Sequence, residues 1–154
     1  MSVAYEVTRG DYIVTADRAR LDIDAIHAFL TRSYWAEGIS HASVTAAIER
    51  SLAFGLYHHD AQVGFARAIT DYVTFAYLAD VYVEETYRGQ GLSKLLLEAV
   101  LAHPQLQRLR RWMLGTRDAH GLYAQFGFIP LAEPQRWMEL PDPGAYATQA
   151  KAEA

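Results

Sequence analysis

Gly89 and Gly91 flank Gln90, between a β-prone run that ends at Val83 and a helical repeat that opens at Leu92. That order of elements suits anion chemistry. The first turn of a helix carries unpaired N–H groups and about half a positive charge from its aligned peptide dipoles. Glycines ahead of it permit left-handed backbone and let a ligand come close to the main chain. Arg88 adds a guanidinium beside the same turn. A phosphate or pyrophosphate is the ligand class for such a cradle. Two familiar nucleotide loops do not fit it. Gly91-Leu92-Ser93-Lys94 lacks the Gly-Lys-Ser/Thr ending of a P-loop, and position 94 is Lys where a dinucleotide fingerprint needs Gly. Taken alone, the glycine pair reads equally well as structural punctuation.

Periodicity places the elements that must hold this turn. Residues 5–8 and 12–15 are β-prone and are joined by Arg9-Gly10-Asp11, a turn. Ile23, Ile26 and Leu30 recur at helical spacing behind Asp22, an N-cap type, and a second helix is expected over 43–52. Between them lies an aromatic loop, Ser33-Tyr34-Trp35-Ala36-Glu37-Gly38. Residues 54–57 and 62–70 read as a hairpin turning at His58-His59-Asp60, and 74–83 as a longer strand. Leu92, Leu95, Leu96, Ala99 and Val100 then make an amphipathic helix. Beyond it, 110–115 is expected as a strand, 120–126 as a short helix, and 128–129 and 136–140 as closing strands. The chain therefore reads as one α+β domain over 1–140, with 141–154 a flexible tail of little periodicity.

Composition narrows the function classes. The chain has 154 residues, 51% of them hydrophobic, which suits a single domain with a real core. Its net charge of −4 argues against a general nucleic-acid or anionic-membrane binder. No long apolar run suggests a membrane span or a signal segment, and a cytoplasmic protein is expected. There is no cysteine, so no disulfide, thiolate metal site or cysteine nucleophile is available on this chain. No metal motif appears, and adjacent His58 and His59 would face opposite sides of a strand.

The segment Tyr87-Arg88-Gly89-Gln90-Gly91-Leu92-Ser93-Lys94 closely resembles the acyl-CoA signature of the GNAT superfamily of N-acetyltransferases, Arg/Gln-x-x-Gly-x-Gly/Ala at a helix start. Arg88 and Gly91 match it, while Ser93 stands where Gly or Ala is usual. Asp80-Val81-Tyr82-Val83 is similar to that superfamily's central strand, whose backbone pairs with the pantetheine arm. Downstream, Tyr123 to Phe128 resembles its Tyr-x-x-x-Gly-Phe element, and Thr116 stands where many relatives place an Asn that contacts CoA. The likeness covers residues 54–140. It implies a mixed, mostly antiparallel central sheet of about six to seven strands flanked by about four helices. It also implies acetyl-CoA as cosubstrate, with Val81, Tyr82, Val83, Arg88, Gly89, Gln90, Gly91, Leu92, Ser93, Lys94, Thr116 and Tyr123 as its binding residues.

Direct attack of an amine on the thioester is the chemistry this resemblance implies. Tyr123 is the expected acid for the departing thiolate, since a phenol stays protonated at neutral pH. Its alternative role is packing beside Phe126 and Phe128. Asp80 is the candidate base, or equally a structural aspartate at a strand bulge. Tyr34, Trp35 and Tyr77 are expected to wall the acceptor, where cation–π attraction would favour a small amine. Glu37 and Asp71 are candidates for acidic complementarity, and the run Arg108 to Arg111 for a contact with the ribose phosphate or a solvated surface. An acceptor amine on a peptide or protein, or a non-catalytic CoA-binding or dimerising module, are the rival readings. A homodimer is an assembly that the resemblance leaves open.

Overall fold

Among the described residues, six strands pair in the order in which the chain makes them. The computed structural model describes residues 4–154. Its strands are β1 (Glu6–Arg9), β2 (Tyr12–Thr15), β3 (Leu52–His58), β4 (Ala61–Thr70), β5 (Phe75–Val83) and β6 (Arg111–Met113). All neighbours are antiparallel except the last pair, in which β6 runs parallel to β5. A parallel step needs a crossover, and helix α3 (Leu92–Leu101) lies within it.

Two clusters sandwich the sheet. Helices α1 (Ile23–Leu30) and α2 (His41–Glu49) bury Ile26, Leu30, Val44 and Ile48 against Ala53, Phe65 and Tyr82 on one side. On the other, α3 buries Leu92, Leu95, Leu96, Leu97, Ala99 and Val100 with Phe54, Leu56 and Leu78. Asp22 caps α1 by accepting from the Ala25 N–H, as its type suggests. The second helix starts earlier than residue 43 because the Ser40 hydroxyl oxygen caps it at the Ser43 N–H, and Leu52 is drawn into β3.

Register breaks decide where the sheet opens. On β4 and β5, Phe65 pairs with Tyr82 but Arg67 pairs with Ala79, so Asp80 and Val81 together face Ala66. Asp80 takes the left-handed backbone that this bulge requires (φ 57°), a conformation Asp tolerates better than most non-glycine residues. The inserted residue sends Tyr82 to the α1/α2 side and Val83 to the α3 side. Beside the bulge, β5 pairs with β6 only at Phe75, Ala76 and Tyr77. From Leu78 onward that edge of β5 has no strand beside it among the described residues.

Other expectations need correction. Residues 128–129 and 136–140 form no strand; a 3-10 turn at Pro134–Arg136 stands in that region. The segment expected as a flexible tail carries helix α5 (Ala145–Glu153), held by the Ser43 hydroxyl, which lies 2.9 Å from carbonyl or carboxylate oxygens of both Gln149 and Glu153. It brings the α-helices to five, with α4 (His120–Ala124) the remaining one. His58 and His59 do not diverge: left-handed backbone at His59 (φ 54°) brings their rings to 4.5 Å, and Asp11 joins them within 4.8 Å. Among the described residues, no helix is long and apolar enough to cross a membrane.

Gly64 sits where β3, β4 and β5 crowd together beside the bulge. A Cβ there would lie 2.8 Å from the Tyr82 carbonyl oxygen and 2.9 Å from a Leu56 methyl. Gly64→Ala is therefore expected to destabilise the fold by about 1–3 kcal/mol. Calorimetry checks this, and an unchanged melting temperature would contradict it.

Candidate active site

The opening between β5 and the chain beyond β6 is a cleft of about 320 Å³. Leu78, Ala79, Asp80 and Val81 of β5 make one wall; Leu114, Gly115, Thr116 and Ala119 make the other. Tyr34, Trp35, Tyr77 and Tyr146 add an aromatic border, and Tyr123 also lines the cleft. A strand edge without a neighbour presents N–H and C=O groups to any extended ligand that enters. Val81, Tyr82 and Val83 lie along that edge. Tyr82 can offer only its backbone, because its ring is stacked on Phe29 at 3.8 Å.

Past Val83 the chain turns through a 3-10 segment, Glu85–Tyr87, into the glycine loop. Gly89 (φ 82°) and Gly91 (φ 76°) both adopt left-handed backbone. Nothing lies within 4 Å of where their Cβ atoms would be, so conformation rather than crowding demands glycine. The Arg88 Nε donates to the Val83 carbonyl at 3.1 Å and pins the loop to the strand end. Gln90 is braced from both sides, donating to the Tyr87 carbonyl and accepting from the Tyr12 hydroxyl. Gly91 is the N-cap of α3 and supplies no side chain to its free N–H groups. Leu92 is buried in the core, so only its backbone serves the loop, while Lys94 is exposed. These residues fit a diphosphate ester whose chain continues along β5.

Asp80 accepts at both carboxylate oxygens. The Nε of Arg67 donates to one carboxylate oxygen at 2.7 Å, and the Trp35 indole N–H donates to the other at 2.9 Å. Arg67 also donates to the Ser51 hydroxyl. Both charged side chains are mostly buried, with 15% and 10% exposure, so each depends on the other. The bulge thus aims a negative charge into the cleft and pairs it at once. Trp35 is thereby fixed, and Tyr34 is fixed separately: its hydroxyl accepts from the Arg117 N–H, and the Arg117 guanidinium sits 4.0 Å over its ring.

Tyr123, on α4, is 9% exposed and packs edge-on against Phe128 at 5.9 Å. Burial pushes its phenol up to about 12, with a smaller contribution from nearby Tyr34. The hydroxyl therefore keeps its proton across the whole neutral and mildly alkaline range. Thr116 accepts from the Ala119 N–H through its hydroxyl oxygen and so helps to start α4.

Sequence reasoning missed two participants. Tyr146 reaches the cleft from α5, and burial raises its phenol first, with Asp80 adding to the rise and Arg67 opposing it. Arg67 read as one more strand residue until its partner was known. Asp71, by contrast, serves its own loop. It accepts from the Thr74 hydroxyl and from the N–H groups of Val73, Thr74 and Phe75, and these bonds hold its carboxyl well below the usual range. Arg110 and Arg111 line a different cavity across β6. His27 bonds to the Ile39 carbonyl, a core-edge role.

This geometry has close counterparts. The sequence profile of the Acetyltransferase (GNAT) family matches residues 21–128, more than half of the chain. The chain belongs to the GNAT family of acetyltransferases. A Gibberella zeae protein provisionally named an acetyltransferase is 35% identical over 142 residues, covering 77% of this chain and 78% of its own. A GNAT-family crystal structure from Xanthomonas campestris pv. campestris superposes with a TM-score of 0.87 at 50% identity, covering 91% of this chain and 99% of that one. A Clostridium acetobutylicum structure determined with acetyl-CoA has a TM-score of 0.62, covering 84% of this chain and 94% of its own; at 19% identity it shares the fold. GNAT membership makes the protein a transferase with the mixed sheet described above.

The buried ion pair gives this GNAT site a specific vulnerability. Arg67→Met leaves Asp80 charged, partly buried and missing its main partner. A loss of about 3–5 kcal/mol in unfolding free energy is expected, from the cost of orphaning one member of a buried pair. Denaturant titration reads it, and a loss near zero would show that solvent already screens the pair.

Proposed function

We propose that this GNAT protein transfers an acetyl group from acetyl-CoA directly to a primary amine of a small molecule. One observation carries the reading: a buried, protonated Tyr123 lines the same cleft as the unpaired edge of β5 and an aromatic border. The glycine loop and the start of α3 would take the pyrophosphate, through N–H groups and the helix dipole. The pantetheine arm would pair with the Val81 to Val83 edge, and a backbone N–H there would polarise the thioester carbonyl. That the Clostridium acetobutylicum neighbour was determined with acetyl-CoA supports this choice of cosubstrate.

The balance of the reaction assigns the remaining roles. The amine nitrogen attacks the carbonyl carbon, a C–N bond forms and the C–S bond breaks. Tyr123 gives its proton to the departing sulfur, and the amine gives up one proton. Without cysteine, the chain has no thiol to hold the acetyl group in between. Asp80 already accepts from Arg67 and Trp35; its remaining lone pairs suit orienting the amine N–H, with water taking the proton. Tyr34, Trp35, Tyr77 and Tyr146 would surround the amine, each cation–π contact contributing roughly 0.5–2 kcal/mol. A cleft of about 320 Å³ bordered by α5 favours a small acceptor over a peptide laid across the surface.

Acetyl-CoA is expected to raise the melting temperature, and free thiol should appear when a panel of small amines is added. No thermal shift at saturation would sink the CoA assignment, whereas a shift without turnover on any amine or peptide would mark a binding module. Tyr123→Phe should lower kcat by about 10²- to 10⁴-fold while leaving CoA affinity nearly intact. Because the phenol titrates only at about 12, the rate should climb with pH as the amine deprotonates and then level off. A fall in rate between pH 8 and 10 traced to Tyr123 would contradict the burial of that hydroxyl; this window lies below the phenol's ordinary value of about 10.

A further inference from the structure

Two hairpin turns meet at the end of the sheet that adjoins the glycine loop. β2 and β3 pair at Tyr12 and His58, so the turn before Tyr12 lies beside the turn after His58. The first turn carries Asp11 and the second carries His59. Left-handed backbone at His59 (φ 54°) swings its ring back to within 4.5 Å of the His58 ring. Glycine would make that turn without strain, so what histidine adds there is its imidazole. One ligand atom from each of Asp11, His58 and His59 lies within 4.8 Å of the other two.

Two imidazoles and a carboxylate are the donor set of a borderline divalent cation such as zinc. Tetrahedral bonds of about 2.1 Å put ligand atoms about 3.4 Å apart, so the cluster must close by about 1.4 Å at most. Asp11 and His59 are exposed and free to rotate that far. His58 is the fixed member. Its ring stacks on Tyr12 at 4.7 Å, and its Nδ1 lies 3.3 Å from the Tyr87 hydroxyl. A partner on one ring nitrogen sets the tautomer and orients the ring for a metal. Neither Asp11 nor His59 is taken up in an ion pair among the described residues. The other close histidine pair differs: His41 is bonded to Asp24, and His27 to the Ile39 carbonyl.

We propose that Asp11, His58 and His59 bind one divalent cation of the zinc type, with water as its fourth ligand. The ion ties the β1–β2 turn to the β3–β4 turn. It also braces the glycine loop from behind, since Tyr12 donates to Gln90 and Tyr87 stands against His58. None of the three ligands lines the cleft, so the ion's role is structural. The proposal stands apart from both the cosubstrate and the acceptor.

Calorimetric titration of the full, tag-free chain with Zn²⁺ should show one equivalent bound, and the melting temperature should rise with it. Asp11→Asn and His59→Gly should each weaken binding by at least the roughly 10-fold that losing an outer partner of a metal ligand costs. Glycine at 59 keeps the turn, and circular dichroism should be unchanged. His41→Ala should bind as the native chain does. Absence of heat and of thermal shift at millimolar Zn²⁺ overturns the proposal, and so does undiminished binding in either variant. Binding lost in His41→Ala would put the ion at Asp24, His27 and His41, and would overturn it as well.

Discussion

A β-strand bonded on both edges has no backbone left to give a ligand. β5 escapes that limit because it pairs fully with β4 and only briefly with β6. The bulge at Asp80 adds a kink and a change of phase at the place where pairing with β6 stops. Everything chemical in the molecule is arranged about that parting: the cleft, the exposed strand edge and the glycine loop that continues from its end. The cost is a non-glycine residue in left-handed backbone, and the Arg67 and Trp35 bonds to its carboxylate offset it.

Electrostatics inside the parting are arranged by pairing rather than by bare charge. Asp80 is paired with Arg67, Tyr34 is clamped by Arg117, and Tyr123 keeps its proton chiefly through burial. Positive character is left to the helix dipole of α3 and to Arg88, at the far end of the strand. A net-negative chain therefore holds a helix start and an arginine at one end of the strand edge and an aromatic border at the other.

Much of this was legible in the sequence where the signal is local. The glycine loop, the apolar stripe of α3 and the β5 run each declare themselves within a dozen residues. Tyr123 was legible from its motif. The pairing of Arg67 with Asp80 was not, because it depends on a register shift between two strands, and periodicity does not encode where a shift falls. α5 escaped for a different reason. Its alanines favour helix but leave no apolar stripe to detect, and it docks through one tyrosine and a serine more than a hundred residues away. The strands expected at 128–129 and 136–140 have suitable side chains but form no ladder with the outer edge of β6.

The anchoring of α5 also bears on how the protein is handled. Tyr146 stands at the cleft on the first turn of that helix, and the seven steps from it to Glu153, at 1.5 Å each, put the far end only about 10 Å away. A bulky label at Glu153 would stand within that distance of the cleft and would take the place of a partner of Ser43. Such a label competes with the helix for its seat, so a change made on α5 far from Tyr146 in sequence is still felt at the cleft.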